Sequence, residues 1–117
     1  MLKMLIADDE PVIIRGLQML IDWAQLGIEI CATCENGEDA LREIFAKSPD
    51  LALLDISMPG KTGIEILKAL HTAQSRTKVI FISGFQDFSY AHDALSYGAV
   101  DYLLKPVKKD DLLCAVE

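Results

Sequence analysis

The sequence predicts an α/β fold in which helices cover both faces of a five-stranded parallel sheet. Short apolar runs alternate with segments of helical periodicity along the whole chain, which is the pattern of a doubly wound sheet. Residues 51–54 are apolar without interruption, as expected of a strand that is buried on both faces. Right-handed crossovers leave few topologies, and we choose the strand order 2-1-3-4-5 by analogy with known sheets of this class.

The first half of the chain contains two strand–helix units. Strand one is the run 2–7, and Pro11 favours the first turn of a helix that continues to about residue 24. Strand two is 28–33, and a turn at Asn36 and Gly37 precedes the second helix. The residues that recur at helical spacing, and are therefore predicted to face the core, are Ile13, Leu17, Leu20, Ile21 and Ala24 in the first helix and Ala40, Leu41, Ile44 and Phe45 in the second.

The second half contains three further units. Its strands are predicted at residues 51–54, 79–82 and 100–104. The third helix starts at Gly63, the fourth covers about residues 88–97, and the fifth begins at Asp110 or Asp111. The predicted inward residues are Ile64, Ile66, Leu67 and Leu70 in the third helix and Ala91, Ala94 and Leu95 in the fourth.

Length and composition indicate one ordinary globular domain. Of 117 residues, 51% are hydrophobic and 25% are charged, and the net charge of −7 argues against a protein that neutralises phosphates by itself. An acidic surface suits cationic partners, including metal ions. No apolar run approaches the roughly 18 residues of a membrane helix, and the start lacks a signal-peptide cleavage site, so we expect a cytoplasmic location.

The spacing of Cys31 and Cys34 is that of C-x-x-C redox and metal motifs. A zinc site needs four ligands, and the chain has no second cysteine pair. Both residues lie in a predicted strand, where side chains three positions apart point to opposite faces. We therefore interpret them as buried or half-buried thiols.

Polar residues stand at the carboxyl ends of four predicted strands. Asp8 and Asp9 follow strand one, Asp55 follows strand three, Ser83 follows strand four and Lys105 follows strand five. Ligands bind at this edge of open α/β sheets. Clustered carboxylates suit Mg²⁺, a carboxylate can accept a phosphoryl group, and a hydroxyl and an ammonium can bind the phosphoryl oxygens. The set therefore fits metal-assisted phosphoryl transfer to an aspartate.

Each of these residues, taken alone, also has an ordinary structural interpretation. Acidic residues such as Asp8 and Asp9 are favoured at the start of a helix. Lys105 suits a solvated surface and Ser83 a turn, and Tyr102 suits half-buried packing on an end strand. Their joint placement at one edge of the sheet favours the functional interpretation.

With these motifs in register, the sequence resembles the receiver domain of two-component response regulators. The matching positions, which span essentially the whole chain, are Asp8 with Asp9, residues 55–59, Ser83 with Gly84, Asp101 with Tyr102, and Lys105 with Pro106. The resemblance implies a flavodoxin-like three-layer sandwich over residues 1–117. It also implies a phosphorylation-activated signalling switch and not an enzyme.

The resemblance assigns the chemistry to named residues. It implies that Asp55 is the phosphoacceptor and that Lys105 contacts the phosphoryl group. It implies that Mg²⁺ is held by Asp9 directly, by Asp8 directly or through water, by Asp55, and by the backbone carbonyl of Ser57.

The resemblance also implies how phosphorylation changes the domain. Ser83 is the switch hydroxyl, which moves toward the phosphoryl group, and Tyr102 is the switch aromatic, which fills the vacated space. These movements remodel the face formed by the fourth helix, the fifth strand and the fifth helix. The peptide bond between Lys105 and Pro106 is expected to be cis.

A sensor histidine kinase is the implied phosphoryl donor. Residues 17–30 and 83–107 are similar to receivers joined to AraC-type helix-turn-helix DNA-binding output domains. Since no such domain lies within these residues and the sequence stops inside the fifth predicted helix, we expect a C-terminal output domain in a longer protein. We expect no direct contact of this domain with nucleic acid or membrane.

Two further features bear on the partners. Receivers of this kind often dimerise through the face of the fourth helix, the fifth strand and the fifth helix, so a homodimer is also implied. Lys61 and Thr62 stand where that branch often carries an apolar–acidic pair. How this loop contacts a kinase is therefore left undecided by the sequence. The acceptor chemistry does not depend on these two residues.

Three alternatives stay open at the level of sequence. A haloacid-dehalogenase-like phosphatase would use Asp55 as nucleophile, but it needs a second aspartate where this chain has Ser57. A flavin-binding module needs a phosphate-binding loop after strand one, where this chain has Asp8, Asp9 and Glu10. A degenerate receiver that acts only as a docking module would not need the complete acceptor set.

Overall fold

The computed structural model describes residues 2–56, 58, 60, 62–83, 99, 101–104 and 107–116, with the backbone alone for Ser83, Asp101, Tyr102 and Leu104. The strands are β1 (Leu2–Ala7), β2 (Ile28–Cys34), β3 (Leu51–Asp55), β4 (Lys78–Ser83) and β5 (Asp101–Leu104). The helices are α1 (Pro11–Leu20), α2 (Gly37–Lys47), α3 (Gly63–Thr72) and α4 (Lys109–Val116), with a 3₁₀ helix at Trp23–Leu26. Helix α4 is the fifth predicted helix, and the fourth, at residues 88–97, lies outside the described residues.

The five strands form one parallel sheet in the order β2-β1-β3-β4-β5, which confirms the predicted fold and topology. Ala7 pairs with Leu54 and Asp55 pairs with Ile82. The carboxyl ends of the central strands therefore meet at one edge of the sheet.

Alternating side chains of the central strands divide the core into two layers. Leu5 and Leu54 belong to the layer under α2 and α3, whereas Ile6 and Leu53 belong to the layer under α1 and α4. All four side chains are at most 1% exposed. Because both faces of β1 and β3 are covered, the sequence of each strand reads as a continuous apolar run. None of the described helices is long and apolar enough to cross a bilayer.

The predicted end of the first helix, near residue 24, is wrong. Helix α1 ends at Leu20, because Ile21 is extended and the Asp22 carboxylate accepts a hydrogen bond from the N–H of Gln25, which starts the 3₁₀ helix. Ala24, predicted to face the core, is exposed. A capped 3₁₀ turn therefore forms where periodicity alone predicts the last turn of α1.

Trp23 closes the carboxyl end of α1 from outside the helix. Its indole Nε1 donates a hydrogen bond of 3.0 Å to the carbonyl oxygen of Leu17, one of the last four carbonyls of the helix. The side chain is buried in the same core layer as Ile28, the first residue of β2. The carbonyl oxygen of Gly27, four residues further on, accepts the N–H of Leu2, the first residue of β1, so Trp23 lies near the amino-terminal end of the sheet.

Helix α2 contacts the core through a narrower stripe than predicted. Ala40 and Ile44 are buried and Leu41 is half-buried, but Phe45 is 50% exposed, so its predicted inward position is wrong. Phe45 lies one residue, or about 100° around the helix, beyond Ile44 and leaves the face that meets the sheet. The side chain of Asn36, predicted as a turn residue, caps the helix by accepting the N–H of Asp39 at 2.8 Å.

Candidate functional site

Asp55 is buried at the carboxyl end of β3, with 5% of its surface exposed. Asp8 follows β1, the strand next to β3, and is 2% exposed. Among the described residues, these two are the only charged ones that are buried. Burying a carboxylate is costly unless a cation or hydrogen bonds compensate it, so two at neighbouring strand ends indicate a functional site.

Asp8 is part of a cluster of three acidic residues. Carboxylate oxygens of Asp8, Asp9 and Glu10 lie within 4.8 Å of one another. Asp8 and Asp9 were predicted as site residues, whereas Glu10 was missed as a third member, although the unbroken acidic run was a visible signal. Hard oxygen donors at this spacing suit a cation such as Mg²⁺, which also relieves the repulsion between like charges.

The hydrogen bonds of the cluster do not support the interpretation of Asp8 as a helix cap. Glu10 is the N-cap residue of α1, and its own side chain makes no capping hydrogen bond. The Asp8 carboxylate accepts the backbone N–H of Glu10 at 2.9 Å, before the helix begins. The N–H of Asp8 donates to the carbonyl oxygen of Cys34 at 3.0 Å, so the end of β2 fixes the backbone at the cluster.

The chain returns to Asp55 at Gly63, the first residue of α3. The N–H of Gly63 donates to the carbonyl oxygen of Ile56 at 2.8 Å. A Cβ atom on Gly63 would lie 2.7 Å from the carbonyl oxygen of Asp55, 2.7 Å from Cε1 of Phe81 and 3.0 Å from Cα of Ile56. Only glycine fits this close approach of two backbones.

Thr62, the residue just before α3, caps this helix. Its hydroxyl accepts the N–H of Glu65 at 3.2 Å, and the Glu65 carboxylate accepts the N–H of Thr62 at 3.2 Å. This reciprocal pair is a capping box. Thr62 therefore fixes the start of α3. Lys61, its neighbour, lies outside the described residues.

Several predicted site residues fall outside the part of the chain that the structure describes. These are Ser57, Lys105 and the Lys105–Pro106 bond, together with the side chains of Ser83 and Tyr102. The backbone of Ser83 ends β4, one residue beyond the partner of Asp55, and pairs with Leu104 at the end of β5. Ser83 therefore stands at the same edge of the sheet as Asp55.

The cysteines are free thiols: Cys34 is buried, Cys31 is half-buried and Cys114 is exposed. Burial, together with the negative charges of Glu43 and Asp39, raises the pKa of Cys34 to about 11. Because the thiolate is the reactive form, the Cys34 thiol is poorly suited to redox chemistry at neutral pH. The interpretation of Cys31 and Cys34 as buried and half-buried thiols is confirmed.

Comparisons with known proteins agree on one family. Residues 4–117 match the family described as the response regulator receiver domain. The chain is 36% identical over 117 residues to the uncharacterized transcriptional regulatory protein YesN of Bacillus subtilis (strain 168), covering all of this chain and 32% of that protein. The chain spans less than half the length of the first curated relatives that it matches.

Solved structures give the same result. The REC domain of AraT, a response regulator from Geobacillus stearothermophilus, is similar with a TM-score of 0.91 and 36% identity, covering 98% of this chain and 89% of that one. A chain of the CheX–CheY–BeF₃–Mg²⁺ complex from Borrelia burgdorferi is similar with a TM-score of 0.87 and 27% identity, covering 98% of this chain and 86% of that one.

Proposed function

Since the chain belongs to the response regulator receiver domain family of two-component systems, we propose that it is a switch that accepts a phosphoryl group on Asp55. One observation carries the assignment of the residue. Asp55 is a buried carboxyl at the carboxyl end of a central strand, next to the strand that ends in the buried Asp8 and its acidic cluster. The phosphoryl donor is the phosphohistidine of a sensor histidine kinase.

In the transfer, a carboxylate oxygen of Asp55 attacks the phosphorus of the phosphohistidine. The new oxygen–phosphorus bond forms as the phosphorus–nitrogen bond breaks, and the electron pair leaves with the imidazole of the donor. The close packing of Gly63 and Ile56 fixes the backbone of the nucleophile, so positioning contributes much of the rate. At 5% exposure, the acceptor carboxyl is shielded from bulk water.

We assign Mg²⁺ to the acidic cluster beside the acceptor. Asp8, Asp9, Asp55 and the carbonyl of Ser57 would hold the ion, with Glu10 close by. When bound, Mg²⁺ neutralises charge on the transferring phosphoryl group. Support comes from the oxygen-only donor set and from the similar solved complex, whose name includes Mg²⁺ and beryllofluoride. The domain changes state and is not itself an enzyme with a turned-over substrate.

The proposed output is control of transcription. Phosphorylation draws Ser83 and Lys105 to the phosphoryl oxygens, and Tyr102 follows. The change reaches an attached C-terminal output domain of the AraC type, which binds DNA, and a homodimer face that includes β5 and α4. The curated relatives named as transcriptional regulatory proteins support this output. An output that acts on DNA implies a cytoplasmic location.

The test is phosphorylation of the 117-residue chain by acetyl phosphate in the presence of Mg²⁺. Intact-mass spectrometry should show one added phosphoryl group that is labile to acid and to hydroxylamine. Asp55→Asn should abolish it, whereas Asp50→Asn, at the opposite end of the same strand, should not. Incorporation that persists in Asp55→Asn would overturn the assignment, and steady turnover of a phosphate ester would favour a phosphatase.

A further inference from the structure

Several interactions hold the described residues between β3 and α3. Two apolar side chains of the segment are buried in the core, and the hydrogen bond from Gly63 and the cap at Thr62 lie within the segment and α3. One further contact comes from a different element. The side chain of Glu38, in the exposed first turn of α2, lies against Gly60 at the middle of the loop. This contact joins α2 to the segment that follows Asp55.

A side chain on Gly60 would be strained by the backbone conformation and would also press on Glu38. Gly60 has a φ of +80°, a left-handed conformation that favours glycine. A Cβ atom on Gly60 would lie 3.0 Å from Cγ, 3.3 Å from Cδ and 3.2 Å from Oε1 of Glu38. The backbone at Gly60 therefore packs against the methylene and carboxylate groups of this one side chain.

The end of β2, three residues before α2, contacts the acidic cluster. The carbonyl oxygen of Cys34, at the end of β2, accepts the N–H of Asp8. The helix is fixed in place by its Asn36 cap and by the buried Ala40. Cys34 thus contacts the backbone of the acidic cluster, and Glu38, four residues further on, contacts Gly60.

We propose that Glu38 is a positioning residue for phosphoryl transfer to Asp55. Its side chain holds Gly60, and with it the loop that starts at Asp55, at a fixed place relative to the acidic cluster. This inference rests on the proposed function. Glu38 acts by packing and not through its charge, so glutamine, which has the same shape, should replace it.

The experiment compares three variants of the full chain. We expect Glu38→Ala to slow phosphorylation by acetyl phosphate and Mg²⁺ roughly three- to tenfold, because a displaced nucleophile loses much of its positioning advantage. Glu38→Gln should restore the wild-type rate. Glu35→Ala, which removes a neighbouring exposed carboxylate, should leave the rate unchanged. Urea unfolding of each variant gives the folded fraction, so that rates refer to folded protein.

A wild-type rate in Glu38→Ala would overturn the proposal, and so would an equal loss in Glu38→Gln, which would show that charge acts instead of packing. If wild-type Asp55 takes up no phosphoryl group, the proposed function fails, and a second measurement tests the positioning alone. NMR amide shifts of Ile56 and Gly60, without donor or metal, should move in Glu38→Ala and return in Glu38→Gln. Unchanged amide shifts in Glu38→Ala would overturn the proposal that Glu38 positions the segment after Asp55.

Discussion

Gly63 shows how a residue without a side chain supports the backbone of Asp55. The space that a Cβ atom would need is filled by the carbonyl oxygen of Asp55, the ring of Phe81 and the backbone of Ile56. Asp55 and the start of α3 are therefore packed against each other directly. No local sequence pattern distinguishes this glycine from one that only starts a helix.

We expect Gly63→Ala to lower the free energy of unfolding by about 1–3 kcal/mol, the usual cost of overpacking. It should also slow phosphorylation of Asp55, since the added methyl group displaces the acceptor backbone. Urea denaturation and the acetyl phosphate assay measure the two effects.

Gly16 provides the matched control. It lies exposed in α1, and a Cβ atom added there would have no neighbouring atom within 4 Å. An alanine at this position therefore causes no steric clash. Gly16→Ala should raise the free energy of unfolding by about 0.5–1 kcal/mol through helix propensity. A destabilisation of equal size in both variants would contradict the close packing at Gly63.

Cys34 should make the stability depend on pH in the alkaline range. The ordinary thiol pKa of 9.0 applies to the unfolded chain, and the folded value is raised to about 11 by burial, Glu43 and Asp39. The thiol's contribution is complete below pH 9.0 and is lost as pH rises toward about 11, because only the unfolded state then releases the proton.

Reduced protein should therefore lose stability over this range more steeply than Cys34→Ala, as followed by urea denaturation at successive pH values. Cys114→Ala removes an exposed thiol and should keep the wild-type slope. Equal slopes in wild type and Cys34→Ala would show that the Cys34 thiol ionises normally in the fold.

At the scale of elements, periodicity alone predicted where the helices lie but not where each of them ends. The apolar face of α3 was predicted correctly, because Ile64, Ile66 and Leu67 are all buried. The end of α1 was not, since it depends on the Asp22 cap and on Trp23, whose partner is set by tertiary packing. Spacing identifies a helix well, whereas its last turn is decided by competing side-chain hydrogen bonds.

The capping box gives a prediction for α3. Thr62→Ala removes the hydrogen bond to the N–H of Glu65 and should lower the free energy of unfolding by about 1 kcal/mol. Thr62→Ser keeps the hydroxyl and should remain within a few tenths of a kcal/mol of wild type. Chemical denaturation measures both, and an equal loss in the serine variant would point to the methyl group and not to the cap.

At the scale of the whole molecule, the sheet was the most predictable part. The uninterrupted run at residues 51–54 is typical of a strand covered on both faces, and parallel strands bring Asp8 and Asp55 to one edge of the sheet. The contact between Glu38 and Gly60 could not be read in this way. It joins a helix start and a loop whose approach depends on how the finished helices pack.

The acidic edge predicts a stabilising effect of Mg²⁺ on the whole domain. A ligand that binds only the folded state at 100 times its dissociation constant adds about 2.7 kcal/mol. The melting temperature should therefore rise with Mg²⁺ concentration. The increase should disappear in Asp9→Asn and persist in Glu29→Gln, an exposed acid near the opposite end of β2. Equal increases in both variants would place the ion elsewhere.

The position of Trp23 has a practical consequence for spectroscopy. It is the single tryptophan of the chain, and it lies beside the carboxyl end of α1 and just before the start of β2, whereas Asp55 is the last residue of β3. Its emission should follow global unfolding and remain nearly silent to events at the acidic edge. One sample can thus report folding by tryptophan fluorescence and phosphorylation by mass, as two independent signals.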